Sequence, residues 1–264
     1  MKKFILTMIT SLCFTLGLFA IDASISFATF RTPDNPYIEV YLHIAGQTVT
    51  FNEMPDSLYQ ANVEVVILFK QGEEIAKFDK YALNSPLTKT RIDFIDLKRF
   101  ALEPGDYNLV VAVSDLNEND NAKEYNTNFS IGFPETEICQ SGLTLLSSYT
   151  KAEPGQNNMF VKNGIKMEPL PFNFYSRHAS RLIFYNEVYN SDQALGEDYL
   201  VSYSVEPANK ENAKPIMIGH KRQKPAPIVP VLIGMDITEL PSGNYNLIVE
   251  VRDRTKGLLS SKTV

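Results

Sequence analysis

Two stretches of this chain share one local design, and that repetition limits the possible folds more than any other feature. Leu102-Glu-Pro-Gly-Asp-Tyr-Asn-Leu-Val-Val-Ala-Val-Ser-Asp115 returns as Leu240-Pro-Ser-Gly-Asn-Tyr-Asn-Leu-Ile-Val-Glu-Val-Arg-Asp253. Each copy is a turn closed by Gly, a Tyr two residues later, and a run in which large apolar residues alternate. Alternate residues of a strand share a face, so Tyr107, Leu109, Val111 and Val113 point into one core. A Tyr at that position, with its hydroxyl returned to the preceding backbone, is the tyrosine corner of immunoglobulin-like sandwiches. Two corners predict an all-β chain of two tandem immunoglobulin/fibronectin-III-like β-sandwich domains, in which Tyr107 and Tyr245 are structural staples.

The rest of the chain divides accordingly. Residues 21–132 carry strand patterns at 21–30, 37–44, 61–70, 73–83, 88–97 and 123–132 around the first corner, and form sandwich one. Residues 133–137, Phe-Pro-Glu-Thr-Glu, mix Pro with charge between two apolar runs and read as a linker. Residues 138–264 form sandwich two, with strands at 138–147, 181–190, 199–206, 215–222, 231–237 and 244–253. Asn163-Gly164 suits a type I′ turn, whose two central residues both need positive φ, and predicts a tight hairpin. The three prolines of the run 224–230 lack a backbone donor, so the run belongs at an edge or crossover. The chain stops at 264 within a strand-like run, which suggests the front part of a longer protein.

Residues 1–20 have a basic start, an apolar middle and a small residue at Ala20, the form of a secretory signal peptide with cleavage after Ala20. Export to the periplasm or cell surface follows, and no later run is long and apolar enough to span a bilayer. Formal net charge is -6, and falls to -8 once Lys2 and Lys3 are lost, the reverse of what nucleic acid attracts. Only Cys139 is left in the mature chain, so no internal disulfide can form. Leu109 and Leu247 stand where antibody domains place a disulfide sulfur, and packing must substitute for it.

Three segments together resemble the N-terminal region of the secreted GWxTD-domain proteins of the Bacteroidota. They are Pro36-Tyr-Ile-Glu-Val-Tyr-Leu42, Phe94-Ile-Asp-Leu-Lys-Arg-Phe100 running into the first corner, and Leu182-Ile-Phe-Tyr-Asn-Glu-Val-Tyr-Asn190. The resemblance covers nearly the whole mature chain and implies an exported envelope protein built from sandwiches. The motif that names the family needs a Trp, and this chain has none, so that domain is absent here.

Candidate chemistry is sparse. Tyr37, Glu39 and Tyr41 fall on one strand face, as do Tyr185, Glu187 and Tyr189. Aromatic rings flanking a carboxylate could stack on sugars, and the alternative is ordinary cross-strand packing around a solvated Glu. Asp115, Asn117 and Asn119 resemble the front of a calcium loop, but Asp120 stands where that loop needs Gly and Asn126 where it needs Glu. His43, His178 and His220 lie apart and lack zinc-motif spacing. No Gly-x-Ser-x-Gly elbow occurs. Asp56-Ser57-Leu58 fits a short bacterial O-glycosylation pattern. No cofactor is implied. The reading is a non-enzymatic exported binding or spacer module with an envelope protein or glycan partner, the alternative being an accessory carbohydrate-binding module.

Overall fold

The computed structural model describes residues 21–264 apart from 34, 119, 154, 156, 157, 211, 212 and 256. The signal-peptide reading of 1–20 and Asn119 of the calcium candidate lie outside the described residues.

The chain is all-β. Its first half runs β1 (Ala23–Arg31), β2 (Pro36–Ile44), β3 (Phe51–Met54), β4 (Leu58–Gln71), β5 (Glu74–Asn84), β6 (Phe94–Ala101), β7 (Gly105–Asp115) and β8 (Ala122–Ile131). Its second half runs β9 (Cys139–Gln140), β10 (Thr144–Lys151), β11 (Val161–Lys162), β12 (Ile165–Pro169), β13 (Arg181–Tyr189), β14 (Tyr199–Pro207), β15 (Met217–Gln223), β16 (Ile228–Asp236), β17 (Tyr245–Arg252) and β18 (Leu258–Thr263). Between β13 and β14 lies a four-residue helical turn, Ser191–Ala194. Among the described residues no helix is long and apolar enough to cross a membrane, which says nothing about strands.

In the first half β1–β2–β6 packs against β3–β4–β7–β8, with β5 also paired to β4. In the second, β11–β12–β10–β13–β16 packs against β15–β14–β17–β18, and β9 pairs with the far end of β13. Setting aside β3 and the β11–β12 hairpin, each half has the same topology. Three strands face four, and the corner strand, β7 or β17, lies inside the four. Each half has its own core. Ile38, Val40, Leu42 and Ile44 of β2 meet Val63, Val65 and Ile67 of β4 and Leu109, Val111 and Val113 of β7. Phe184 and Val188 of β13 meet Val201 and Val205 of β14 and Leu247, Val249 and Val251 of β17. Leu109 and Leu247 sit in these cores at the positions where a disulfide would otherwise bridge the sheets.

Both corners are made. The Tyr107 hydroxyl donates to the Glu103 carbonyl at 3.0 Å, and the Tyr245 hydroxyl to the Pro241 carbonyl at 2.8 Å. Each bond ties the loop before the strand back onto it. Tyr107→Phe and Tyr245→Phe keep the ring and remove only this bond, so each is expected to cost about 1 kcal/mol. Urea midpoints of the single and double variants check this, and the two losses should add because the sites are far apart.

The hairpin is also as expected, with Asn163 at φ 50° and Gly164 at φ 72° between β11 and β12. Residues 224–227 form the crossover, and Pro230 lies on β16, an edge strand. Two expected strands differ. Residues 88–93 stay out of the regular ladder apart from a bridge between Thr88 and Tyr59, and pairing with β2 begins at Phe94. The expected strand 138–147 breaks into β9 and β10, both paired with β13, because the Gly142 N–H turns away to the Thr29 carbonyl of the first sandwich at 2.7 Å while Ser141 stays on the Glu187 backbone.

Candidate functional site: an ionic cluster between the sandwiches

The outer faces of β2 and β13 meet each other, so both strands are covered on both sides. Around them lies a third apolar cluster: Ala28, Phe30, Tyr41 and Leu97 from the first sandwich, and Leu146, Met167, Ile183 and Tyr185 from the second. This corrects the expectation of an open face. Tyr41, Tyr185 and Tyr189 are buried, Tyr37 is half-buried, and the carboxylates Glu39 and Glu187 are only 3% and 4% exposed. No sugar ring can stack on these tyrosines while the junction is closed, and neither Glu is solvated.

Two buried carboxylates need partners, because an unpaired charge in such a place costs several kcal/mol. Arg99 Nε lies 2.7 Å from Glu39 Oε1, and Lys162 Nζ lies 3.2 Å from the same oxygen. Arg99 is on β6 of the first sandwich; Lys162 is on the β11–β12 hairpin of the second. The Tyr41 hydroxyl donates to the other Glu39 oxygen. Around Glu187, the Tyr185 and Tyr189 hydroxyls each donate at 2.6 Å, one to each oxygen, and the Asn163 amide donates at 3.0 Å. Lys162 is electrostatically coupled to both carboxylates and lies over the Phe30 ring, 3.0 Å from its centroid. Two carboxylates thus face two cations, and the cluster is balanced. A cavity of about 20 Å³ beside Lys162 has room for about one water molecule.

The flank is closed by a second group of contacts. The Arg31 N–H donates to the Tyr189 oxygen at 3.2 Å, and its guanidinium lies 4.9 Å from that ring's centroid. Arg31 also bonds the Asn190 side chain and, at 3.2 Å, the Pro134 carbonyl. The Asn190 amide donates to the Pro134 and Glu137 carbonyls at 2.9 and 2.8 Å. Phe133 sets its ring edge against Tyr189 at 5.3 Å. The segment 133–137 is therefore pinned at several points to both sandwiches.

Burial and neighbouring charge act in opposite directions here. Burial alone would raise the Glu39 carboxyl, but Lys162, Arg99 and the Tyr41 hydroxyl together hold it below its ordinary value of 4.5. Burial lowers Lys162 below its ordinary 10.5 despite the pull of Glu39 and Glu187. Burial, reinforced by the adjacent carboxylates, keeps Tyr41, Tyr185 and Tyr189 protonated as donors. A depressed carboxyl gives stability that is present above its unfolded value and lost as pH falls through the folded one. The junction is thus expected to weaken in acid below about pH 4.5. Unfolding curves against pH should fall more steeply there for the wild type than for Glu39→Gln.

The calcium candidate is placed differently. One Asp115 oxygen accepts the Thr50 N–H at 2.6 Å and the other the Asn117 N–H at 2.8 Å, while the Asn117 oxygen accepts from Asn52 at 2.6 Å. These oxygens fasten the β7–β8 loop to the start of β3 instead of converging on an ion. Among the described residues no group of three His, Cys, Asp or Glu is arranged to hold a metal.

Lys162, Arg99 and Gly142 did not stand out in the sequence, and Asn163 stood out only as a turn residue. One signal was there: Arg-Leu-Ile-Phe-Tyr-Asn-Glu-Val-Tyr at 181–189 is nearly continuous in large residues, the mark of a strand covered on both faces.

No protein-family model matches the sequence, and no curated protein matches it. Among solved structures, the chain is similar to native alpha-2-macroglobulin from Escherichia coli, in a crystal structure spanning its domains MG0-NIE-MG1. The identity is 9%, the match covers 92% of this chain and 71% of that one, and the TM-score is 0.20. At that score the functional reading rests on this chain's own residues.

Proposed function

We propose that this protein is an exported, non-enzymatic two-sandwich module that holds its outer faces at a fixed angle, as a spacer and binding element in the cell envelope. The observation that carries the reading is the closed junction. Two carboxylates, two cations and four tyrosines are spent on joining two domains, each of which already has a core. We read the arrangement as serving orientation, since a buried ionic network is a poor source of stability. The basic and apolar leader at 1–20 supports export, and the resemblance to GWxTD-domain proteins is the ground for proposing an envelope setting.

Photo-crosslinking in the envelope of the source organism tests this. The expected result is a defined protein captured by the wild type and lost with Lys162→Met, used where circular dichroism shows that variant folded, so that only the junction is unfixed. Equal capture by that variant would remove rigidity from the account. Capture of nothing would remove the binding role.

A further inference from the structure

The duplication makes one difference between the halves legible. Counted from the corner tyrosines, Val110 of β7 corresponds to Ile248 of β17. The ladders then match Leu68 with Ser204, Val66 with Ser202, and Phe78 with Ile218. In the first sandwich the central strand of the four fills its outer face with Val66 and Leu68. In the second, serines stand at both places while the neighbouring strands keep Ile218 and Ile248 as walls. The result is a trough of about 570 Å³ running along β14.

Its polar groups have a definite layout. The Ser202 hydroxyl on the floor is held by His220 Nδ1 at 2.9 Å. At one end Arg252 turns onto Glu250 at 2.8 Å, so those charges offset each other. At the other end stands Glu206, two residues beyond Ser204 on the same face, whose carboxylate pairs with no cation among the described residues. Ile218 is 62% exposed, so the wall is open to a ligand.

We propose that this trough binds an extended segment of a partner protein through one lysine or arginine side chain. The aliphatic stem lies over Ser204 between Ile218 and Ile248, and the cationic head reaches the Glu206 carboxylate. Residues two apart on a strand are about 7 Å apart, within the reach of such a stem, and long basic side chains bury their stems while keeping their heads in polar surroundings. The charge of the chain, -6 overall, favours approach of a basic partner.

The test is an NMR titration of the full chain with acetyl-Val-Lys-Val-amide, with the norleucine and glutamate peptides as controls. Amide shifts are expected on β14, β15 and β17, from the lysine peptide and more weakly from the others. Glu206→Gln is expected to weaken lysine-peptide binding about tenfold. Ser204→Leu installs the residue found at the corresponding place in the first sandwich, so it should fold and lose binding by about tenfold or more. No shifts with the lysine peptide, equal affinity for the lysine and norleucine peptides, or undiminished binding by Ser204→Leu would each overturn the proposal. It deepens the binding-module reading, yet the two can fail separately. The titration needs no envelope, and an envelope partner captured through another face would survive a negative titration.

Discussion

Lys162→Met is expected to destabilise the chain by about 3–5 kcal/mol, the cost of leaving buried carboxylates short of a partner. The methionine keeps the stem packed over Phe30, so the loss isolates the charge. Glu39 would retain Arg99, but Arg99 is partly exposed and reaches one oxygen from the rim, whereas Lys162 is itself buried against Glu39 and also feels the charge of Glu187. Adding Glu39→Gln and Glu187→Gln to the same chain removes the uncompensated charge, and most of the loss should return. Urea unfolding of the single and triple variants checks this. A loss below about 1 kcal/mol from Lys162→Met would mean that the pair behaves as a surface salt bridge.

Gly142→Ala is expected to cost about 1–3 kcal/mol by overpacking the junction. A Cβ there would come within 2.8 Å of the Thr29 nitrogen and 3.0 Å of Ala28 Cα. Both are backbone atoms of β1, so the strain cannot be relieved by a side-chain rotation. The glycine is needed for close approach, and its N–H crosses to the Thr29 carbonyl at the same point. Gly196→Ala is the control, because a Cβ at that glycine meets nothing within 4 Å. Thermal unfolding should show a clear drop for Gly142→Ala and little change for Gly196→Ala.

How far the sequence could be read depends on the range of each interaction. The corners are local: a Tyr, a Gly two residues before it and an alternating strand encode a bond four residues long, and both are formed as expected. The Asn163-Gly164 turn is equally local. The tyrosine and glutamate faces of β2 and β13 were legible as faces but not as buried ones. Alternation of Tyr, Glu, Tyr and His along β2 looks the same whether water or a second domain covers it. What decides is Lys162, which lies more than a hundred residues from Glu39 in sequence and reaches it only because the hairpin extends the second sandwich's sheet. The Asp115 loop shows a related limit. Its oxygens alternate as in an ion site, yet the N–H of Thr50, supplied by a distant loop, claims one of them. The trough on β14 needs both halves compared in register, since Ser202 and Ser204 are unremarkable until set beside Val66 and Leu68.

The central claim is that the two sandwiches form one rigid body. The most direct measurement is the distance distribution between spin labels at Ala82→Cys and Lys221→Cys, both exposed and in different sandwiches, with Cys13→Ser and Cys139→Ser to remove the native thiols. A single narrow distribution that broadens on adding Lys162→Met is the expected result. A broad distribution in the chain with Lys162 intact would show that the sandwiches swing freely about residues 133–137, and would contradict the account.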